Sequence, residues 1–183
     1  GRGVIDETQS VSRRNLLKFS QRNAWAPGVD PLHTDKPAAA GAGLGTSFAR
    51  AMADADKQIT VGLIPCAHGG TSMAQWDPAL KDKGGDSLYG GMVRRFQLAG
   101  GLVKGVLWYQ GESDASPTAG PIFEEKFRSF IQAVRKDFAQ PDLPFLYVQI
   151  GRHVTSASAV HWNLVQNAQL NVESQLPNAL MTG

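Results

Sequence analysis

The feature that most restricts the fold is a repeated alternation of two patterns. A short apolar run bounded by turn residues is followed by a longer stretch whose apolar residues recur at helical spacing. Ile59–Thr60–Val61–Gly62–Leu63–Ile64–Pro65 is one such run, closed by a proline that cannot extend a ladder. Val103–Lys104–Gly105–Val106–Leu107–Trp108–Tyr109 is the next, and Leu143–Pro144–Phe145–Leu146–Tyr147–Val148–Gln149–Ile150 follows it. Asn178–Ala179–Leu180–Met181–Thr182 reads as the start of another strand. Between the runs, helices are expected with Leu44, Phe48, Ala51, Met52 and Ala55 on one inward face, and with Leu88, Met92, Val93, Phe96 and Ala99 on another. Phe123, Phe127, Phe130, Ile131 and Val134 mark a third helix. A fourth, over roughly residues 157–176, would turn Val160, Leu164, Ala168 and Val172 inward. Strands alternating with helices of this length mean βαβ units and a parallel sheet covered on both faces. Residues 1–42 lack such periodicity and are rich in Gly, Pro, Asn and polar residues; within them, Asn23 to Pro31 reads as loop.

Bulk properties narrow the function classes. The chain has 183 residues, which suits one domain over residues 1–183 with a real core. Its formal charge of +2 comes from scattered lysines and arginines, so no field invites nucleic acid or an acidic membrane. The single cysteine, Cys66, excludes an internal disulfide and any multi-cysteine zinc site. No apolar run is long enough to span a membrane. No histidine pair has zinc-motif spacing and no acidic cluster has that of a calcium loop, so neither metal nor cofactor is expected.

In open parallel sheets, ligands bind in the loops beyond the carboxyl ends of the strands. Two such loops carry chemistry. In Pro65–Cys66–Ala67–His68–Gly69–Gly70–Thr71–Ser72–Met73–Ala74–Gln75–Trp76, a glycine pair after a strand lets the backbone approach a ligand and aim an N–H at it, as an oxyanion requires. The structural alternative is a turn that merely needs positive φ. In Trp108–Tyr109–Gln110–Gly111–Glu112–Ser113–Asp114, a side-chain amide can donate to an oxyanion and a nearby carboxylate can orient partners. Here the alternative is helix capping, with Asp114 serving the positive end.

Taken together, the two segments resemble a known family. Val61 to Thr71 with Trp76 looks like the second conserved block of the sialate O-acetylesterase/carbohydrate esterase domain, and Leu107–Trp108–Tyr109–Gln110–Gly111–Glu112–Ser113–Asp114 looks like its third, the WYQGESD signature. Asp30–Pro31–Leu32–His33 and Gly41–Ala42–Gly43–Leu44–Gly45 extend the similarity to plant-type carbohydrate esterases. The resemblance implies an α/β fold, a three-layer α/β/α SGNH-hydrolase (flavodoxin-like) with a parallel sheet. It also implies removal of O-acetyl groups from carbohydrates by a serine acyl-enzyme route. Carried over by motif position, Gly69 or Gly70 and Gln110 would be oxyanion donors and Glu112 would support the site. His68, Thr71 and Trp76 are the substrate-binding candidates, and an acetylated carbohydrate is the expected partner.

The chain departs from the family pattern at both ends. The GQSNM motif carrying the nucleophile is absent, although Gly1–Arg2–Gly3 resembles the residues that usually follow it. The late D-x-x-H motif carrying the base is absent as well. The fold is therefore expected to be truncated at both ends, with serine and histidine outside this chain. The competing reading is a catalytically inactive carbohydrate-binding remnant of the same fold. Within the chain, Ser72 lacks the second glycine of a nucleophile elbow and Ser113 suits capping. His153 follows the third strand and suits a surface or hydrogen-bonding role, while His33 and His161 have no carboxylate at a telling spacing. Of Trp25, Trp76 and Trp108, Trp76 is the expected sugar contact and Trp108 is expected in the core.

Overall fold

A computed structural model describes residues 2–8, 10–33, 35–151 and 159–183. Residues 1–69 with 95–100 form one compact unit; residues 70–94 with 101–183 form a second. In chain order the elements are β1 (Leu16–Phe19), β2 (Trp25–Pro27), α1 (Leu44–Ala55), β3 (Val61–Leu63), α2 (Leu88–Leu98), β4 (Val106–Trp108), α3 (Phe123–Asp137), β5 (Phe145–Val148), α4 (Ala159–Gln175) and β6 (Ala179–Thr182). His153 lies outside the described residues.

The first unit contains a three-stranded sheet in the order β2-β1-β3. β1 and β3 run parallel with Leu17 opposite Gly62, and β2 closes the edge antiparallel to β1. The loop expected from Asn23 to Pro31 is therefore corrected, since β2 lies within it, and β1 forms in a stretch that shows no periodicity. Lys18 interrupts the apolar pattern of β1 because its ammonium leaves the strand to donate to the Val29 and Pro31 carbonyls, each at 3.1 Å. Helix α1 packs on β1 and β3. Its buried residues are Thr46, Ala49 and Ala53, whereas Ala51, Met52 and Ala55 are exposed and Phe48 is half-buried. The face expected from the large apolar residues is thus wrong in phase, because small side chains allow the closest approach to the strands.

The second unit holds the parallel sheet β4-β5-β6, in register from Val106 opposite Phe145 to Val148 opposite Thr182. Helices α3 and α4 pack on one another, and α4 packs on β6. In α3, Glu124 and Glu125 sit in the first turn and Arg135 and Lys136 in the last, matching the helix dipole at both ends. Its buried face is Phe123, Phe127, Phe130, Ile131 and Val134, as the spacing predicts. These rings join an aromatic core: Phe130 lies 4.5 Å from Trp108 and 5.8 Å from Tyr89, and Phe127 lies 5.1 Å from Tyr147, measured between centroids. Each such side chain contributes roughly 1.5–3 kcal/mol by leaving water.

In α4 the expected inward residues Val160 and Leu164 are instead 68% and 37% exposed. The buried stripe is Val165, Ala168, Gln169 and Val172. A fully buried glutamine holds a core position, so a count of apolar residues alone misplaces the face. The mixed helix–strand architecture with parallel pairing agrees with an α/β fold.

Candidate active site

Where β4 ends, the chain turns sharply. Gly111 has φ +152°, which L side chains rarely adopt, and a Cβ there would lie 2.8 Å from Val165 Cγ1 and 2.9 Å from Ile150 Cγ2. Only glycine lets the strand end press this closely on α4. Gln169 fastens the corner: its Nε2 donates to the Gln110 carbonyl at 3.0 Å, and its Oε1 accepts from the Ile150 N–H at 3.0 Å. One buried amide therefore joins the ends of β4 and β5. Tyr147 Oη in turn donates to the Gln169 carbonyl at 2.6 Å.

Beyond Gly111, Glu112–Asp114 forms a single 3-10 turn closed by the Asp114 N–H on the Gly111 carbonyl. The three residues diverge in environment. Glu112 and Ser113 are exposed, whereas Asp114 is buried. Tyr109 Oη lies against the Glu112 carboxylate and the Gly151 main chain; burial, and then this carboxylate, raises the Tyr109 pKa. Asp114 accepts from the Met73 N–H with both oxygens, at 3.2 and 2.9 Å, and its Oδ2 accepts from Gln110 Nε2 at 2.5 Å. Burial raises the Asp114 pKa; the bonds from Gln110 and Met73 oppose it.

Gln110 is 8% exposed and also donates from Nε2 to the Thr71 carbonyl, at 2.9 Å. The loop after β4 and the segment Gly70–Trp76 are therefore hydrogen-bonded together, the juxtaposition on which an oxyanion site between Gly70 and Gln110 depends. Gln110 Oε1 is buried and has no donor among the described residues. Gly70 has φ +75° and is exposed, and its N–H has no acceptor among the described residues. Thr71 is buried and its Oγ1 accepts from Trp76 Nε1 at 2.9 Å. Trp76 is only 2% exposed, its ring edge-on to Trp108 at 5.1 Å. The expected sugar-stacking face of Trp76 is consequently turned into the core, where it braces Thr71. Trp25, by contrast, is 44% exposed. Ser72 presents its N–H to Gln75 Oε1 at 3.0 Å, a local loop bond.

In the first unit, Gly69 is clamped from both sides. Its N–H donates to Asp35 Oδ2 at 3.0 Å, and Lys36 Nζ donates to its carbonyl at 2.5 Å. His68 Nδ1 lies 3.9 Å from the same Asp35 oxygen. Burial works to raise the Asp35 pKa, but the Gly69 N–H and the nearby His68 outweigh it and hold it below its ordinary value. Asp35 and Lys36 were invisible as partners of Gly69 in the sequence, being more than thirty residues away. Cys66 is no activated nucleophile: burial pushes its thiol up to about 11. Burial also takes His33 down to about 4. Among the described residues, no group of three or more His, Cys, Asp or Glu is placed to hold a metal ion, and no helix is long and apolar enough to cross a membrane.

Comparison with known proteins puts this geometry in context. The family described as carbohydrate esterase, sialic acid-specific acetylesterase matches residues 1–182. A probable carbohydrate esterase of Arabidopsis thaliana is 32% identical over 168 residues, 87% of this chain and 60% of the relative, so the chain spans about three-fifths of that protein's length. The X-ray structure of the Arabidopsis protein superposes with a TM-score of 0.83 at 30% identity, covering 97% of this chain and 71% of that one. A carbohydrate acetylesterase from Xanthomonas citri has a TM-score of 0.69 at 22% identity, over 96% of this chain and 44% of its own, and speaks to the fold alone. With its motifs, its fold and nearly every residue inside that match, the chain belongs to the carbohydrate esterase, sialic acid-specific acetylesterase family.

Proposed function

We propose that this chain supplies most of the catalytic domain of a carbohydrate O-acetylesterase with a three-layer α/β/α SGNH-hydrolase architecture over residues 1–183. The observation that carries the reading is the bond from Gln110 Nε2 to the Thr71 carbonyl, which ties the WYQGESD loop to the residue following Gly70. An acyl-transfer site needs donors fixed before charge develops on the carbonyl oxygen. Gly69 spends its N–H on Asp35, whereas the Gly70 N–H has no acceptor among the described residues, so Gly70 is the better donor of the pair.

Family membership supports the following mechanism. A serine hydroxyl attacks the acetyl carbonyl while a histidine takes its proton. The tetrahedral oxyanion is held by the Gly70 N–H. The sugar hydroxyl then departs with the proton, and water hydrolyses the acetyl-serine. Serine and histidine are assigned to sequence outside these 183 residues, because neither family motif carrying them occurs here. Glu112, exposed beside Tyr109, supports the site by orienting a cationic or hydroxyl partner. Thr71 and His68 border the turn, and Trp76 acts through Thr71 rather than on substrate.

The test is acetate release from O-acetylated sugars and 4-nitrophenyl acetate by the full-length protein, with the serine of its GQSNM motif replaced by alanine as control. Serine-dependent release is expected. Tight binding of acetylated sugar with no release would overturn the esterase reading in favour of an inactive carbohydrate-binding remnant.

A further inference from the structure

The segment Asp35–Lys36 closes on Gly69 from two directions. The Gly69 N–H donates to Asp35 Oδ2 at 3.0 Å, and Lys36 Nζ donates to the Gly69 carbonyl at 2.5 Å. The base of this clamp is itself fixed. Pro37, with its restricted φ, opens a 3-10 turn over Pro37–Ala39, and the Ala39 N–H closes it on the Lys36 carbonyl at 2.9 Å. None of the ion pairs among the described residues involves Lys36, so its ammonium is committed to a carbonyl rather than to a carboxylate.

The Gly69 carbonyl and the Gly70 N–H belong to one peptide group. That group is planar and trans, the one cis bond among the described residues being Asp30–Pro31. In a trans peptide the C=O and the N–H point in opposite directions, so holding the oxygen aims the hydrogen. Asp35 holds the preceding plane, that of the Gly69 N–H; Lys36 holds the next. The hold matters at this link, because a glycine on either side leaves no Cβ to resist rotation of the plane. An ammonium on the carbonyl also draws electron density from the amide, which strengthens the N–H as a donor. Gly70 is exposed, so that hydrogen is open to a ligand.

We propose that Lys36 is a positioning residue of this site: its ammonium, seated on the Gly69 carbonyl, fixes and polarises the peptide group that carries the Gly70 N–H. It touches neither substrate nor reacting atoms and acts through Gly70 alone. The catalytic part of this inference rests on the esterase reading; the aiming of the peptide group does not.

Isotope-labelled full-length protein provides the test. Lys36 is exposed, so Lys36→Met, which keeps the stem and removes the donor, is expected to fold. The NMR order parameter of the Gly70 N–H should be about 0.85 in wild type and fall below about 0.6 in Lys36→Met. Lys57→Met removes the same charge from an exposed lysine bonded to Asp54 and should leave Gly70 unmoved. A Gly70 N–H that is mobile in wild type, or equally rigid in Lys36→Met, would overturn the aiming. Loss of an oxyanion donor costs about 10²–10³ in kcat, and loosening one should cost roughly tenfold, so Lys36→Met is expected to lower kcat on 4-nitrophenyl acetate by about that factor with KM unchanged. Lys36→Arg keeps a cationic donor and should return both readouts toward wild type; a Lys36→Arg protein no better than Lys36→Met would overturn the role of the bond. An active enzyme whose kcat is the same in Lys36→Met would overturn the catalytic part. Wild type that releases no acetate, while Gly70 loosens in Lys36→Met, overturns the esterase reading and leaves the aiming standing.

Discussion

Gly111→Ala is the substitution whose cost the structure defines most sharply. Two penalties add. The φ of +152° is a conformation essentially reserved for glycine, and holding alanine there costs about 1–3 kcal/mol. The new Cβ would also sit 2.8 Å from Val165 Cγ1 and 2.9 Å from Ile150 Cγ2, well inside van der Waals contact, and such overpacking costs about 1–3 kcal/mol. Neither wall yields freely, because Val165 is fully buried in α4 and the Ile150 N–H is held by Gln169 Oε1. The sum, roughly 2–6 kcal/mol, is a large part of the 5–15 kcal/mol that holds a typical domain folded. At about 2–4 °C per kcal/mol, the middle of that range lowers Tm by roughly 8–16 °C. Urea titration followed by tryptophan fluorescence, with full-length wild type alongside, gives the free energy directly. Val165→Ala relieves one of the two contacts: combined with Gly111→Ala it should cost about 1 kcal/mol less than the two singles added, since the Val165 clash is gone while the Ile150 contact and the strain remain. Gly111→Ala within about 0.5 kcal/mol of wild type, the scatter of ordinary surface substitutions, would refute this account of the corner.

Adjacent glycines of α2 should respond with opposite sign. Gly91→Ala adds a methyl with nothing within 4 Å and should stabilise by about 0.5–1 kcal/mol through helix propensity, whereas Gly90→Ala drives its Cβ to 2.5 Å from the Lys81 carbonyl and 2.6 Å from that of Gly84 and should destabilise by about 1–3 kcal/mol net in the same melts. For His33, burial lowers the folded-state pKa from 6.5 to about 4, so the unfolded chain takes up the proton first as pH falls. Its contribution to stability is then full above pH 6.5 and declines by about 3 kcal/mol on the way down to pH 4; melts of His33→Asn should lack that slope, and an identical slope would refute the assignment. Gln110→Glu places a carboxylate against Asp114 and the Thr71 carbonyl and should destabilise by roughly 2–5 kcal/mol at neutral pH. Because the pair's folded pKa rises, the loss should shrink as pH falls through it, which a series of melts from neutral to acid will record.

The sheet-forming runs and the α3 face were legible because each follows a period set by backbone geometry: β3 to β6 all lie within the runs read as strands, and Phe123, Phe127, Phe130, Ile131 and Val134 are all buried. The faces of α1 and α4 were not. Both helices break the equation of inward with large and apolar. In α1 the inward residues are small, Thr46, Ala49 and Ala53, and in α4 one of them is Gln169. A buried glutamine is stable only where acceptor and donor stand ready, and those are the Gln110 carbonyl and the Ile150 N–H, supplied by strands far away in the chain. Periodicity within a helix carries no trace of them. β1 was missed for a related reason: Lys18 looks like a break in the strand until its ammonium is seen leaving for the Val29 and Pro31 carbonyls.

The same distinction explains the site. The motif string names two segments that are hydrogen-bonded together, since Gln110 reaches Thr71. It does not say which atoms remain unspent, because that depends on partners no local pattern reveals. Gly69 and Gly70 are indistinguishable as letters; Asp35 takes the N–H of the first, and the second has no acceptor among the described residues. Gln110 reads as a donor, and both of its hydrogens are committed to Thr71 and Asp114. Asp114 reads as a helix-capping residue, and it is instead the buried acceptor that ties Met73 and Gln110 together. Catalytic donors act only if their hydrogens are free when charge appears on the substrate. By that criterion the Gly70 N–H, with no acceptor among the described residues, is the donor that the proposed reaction would draw on.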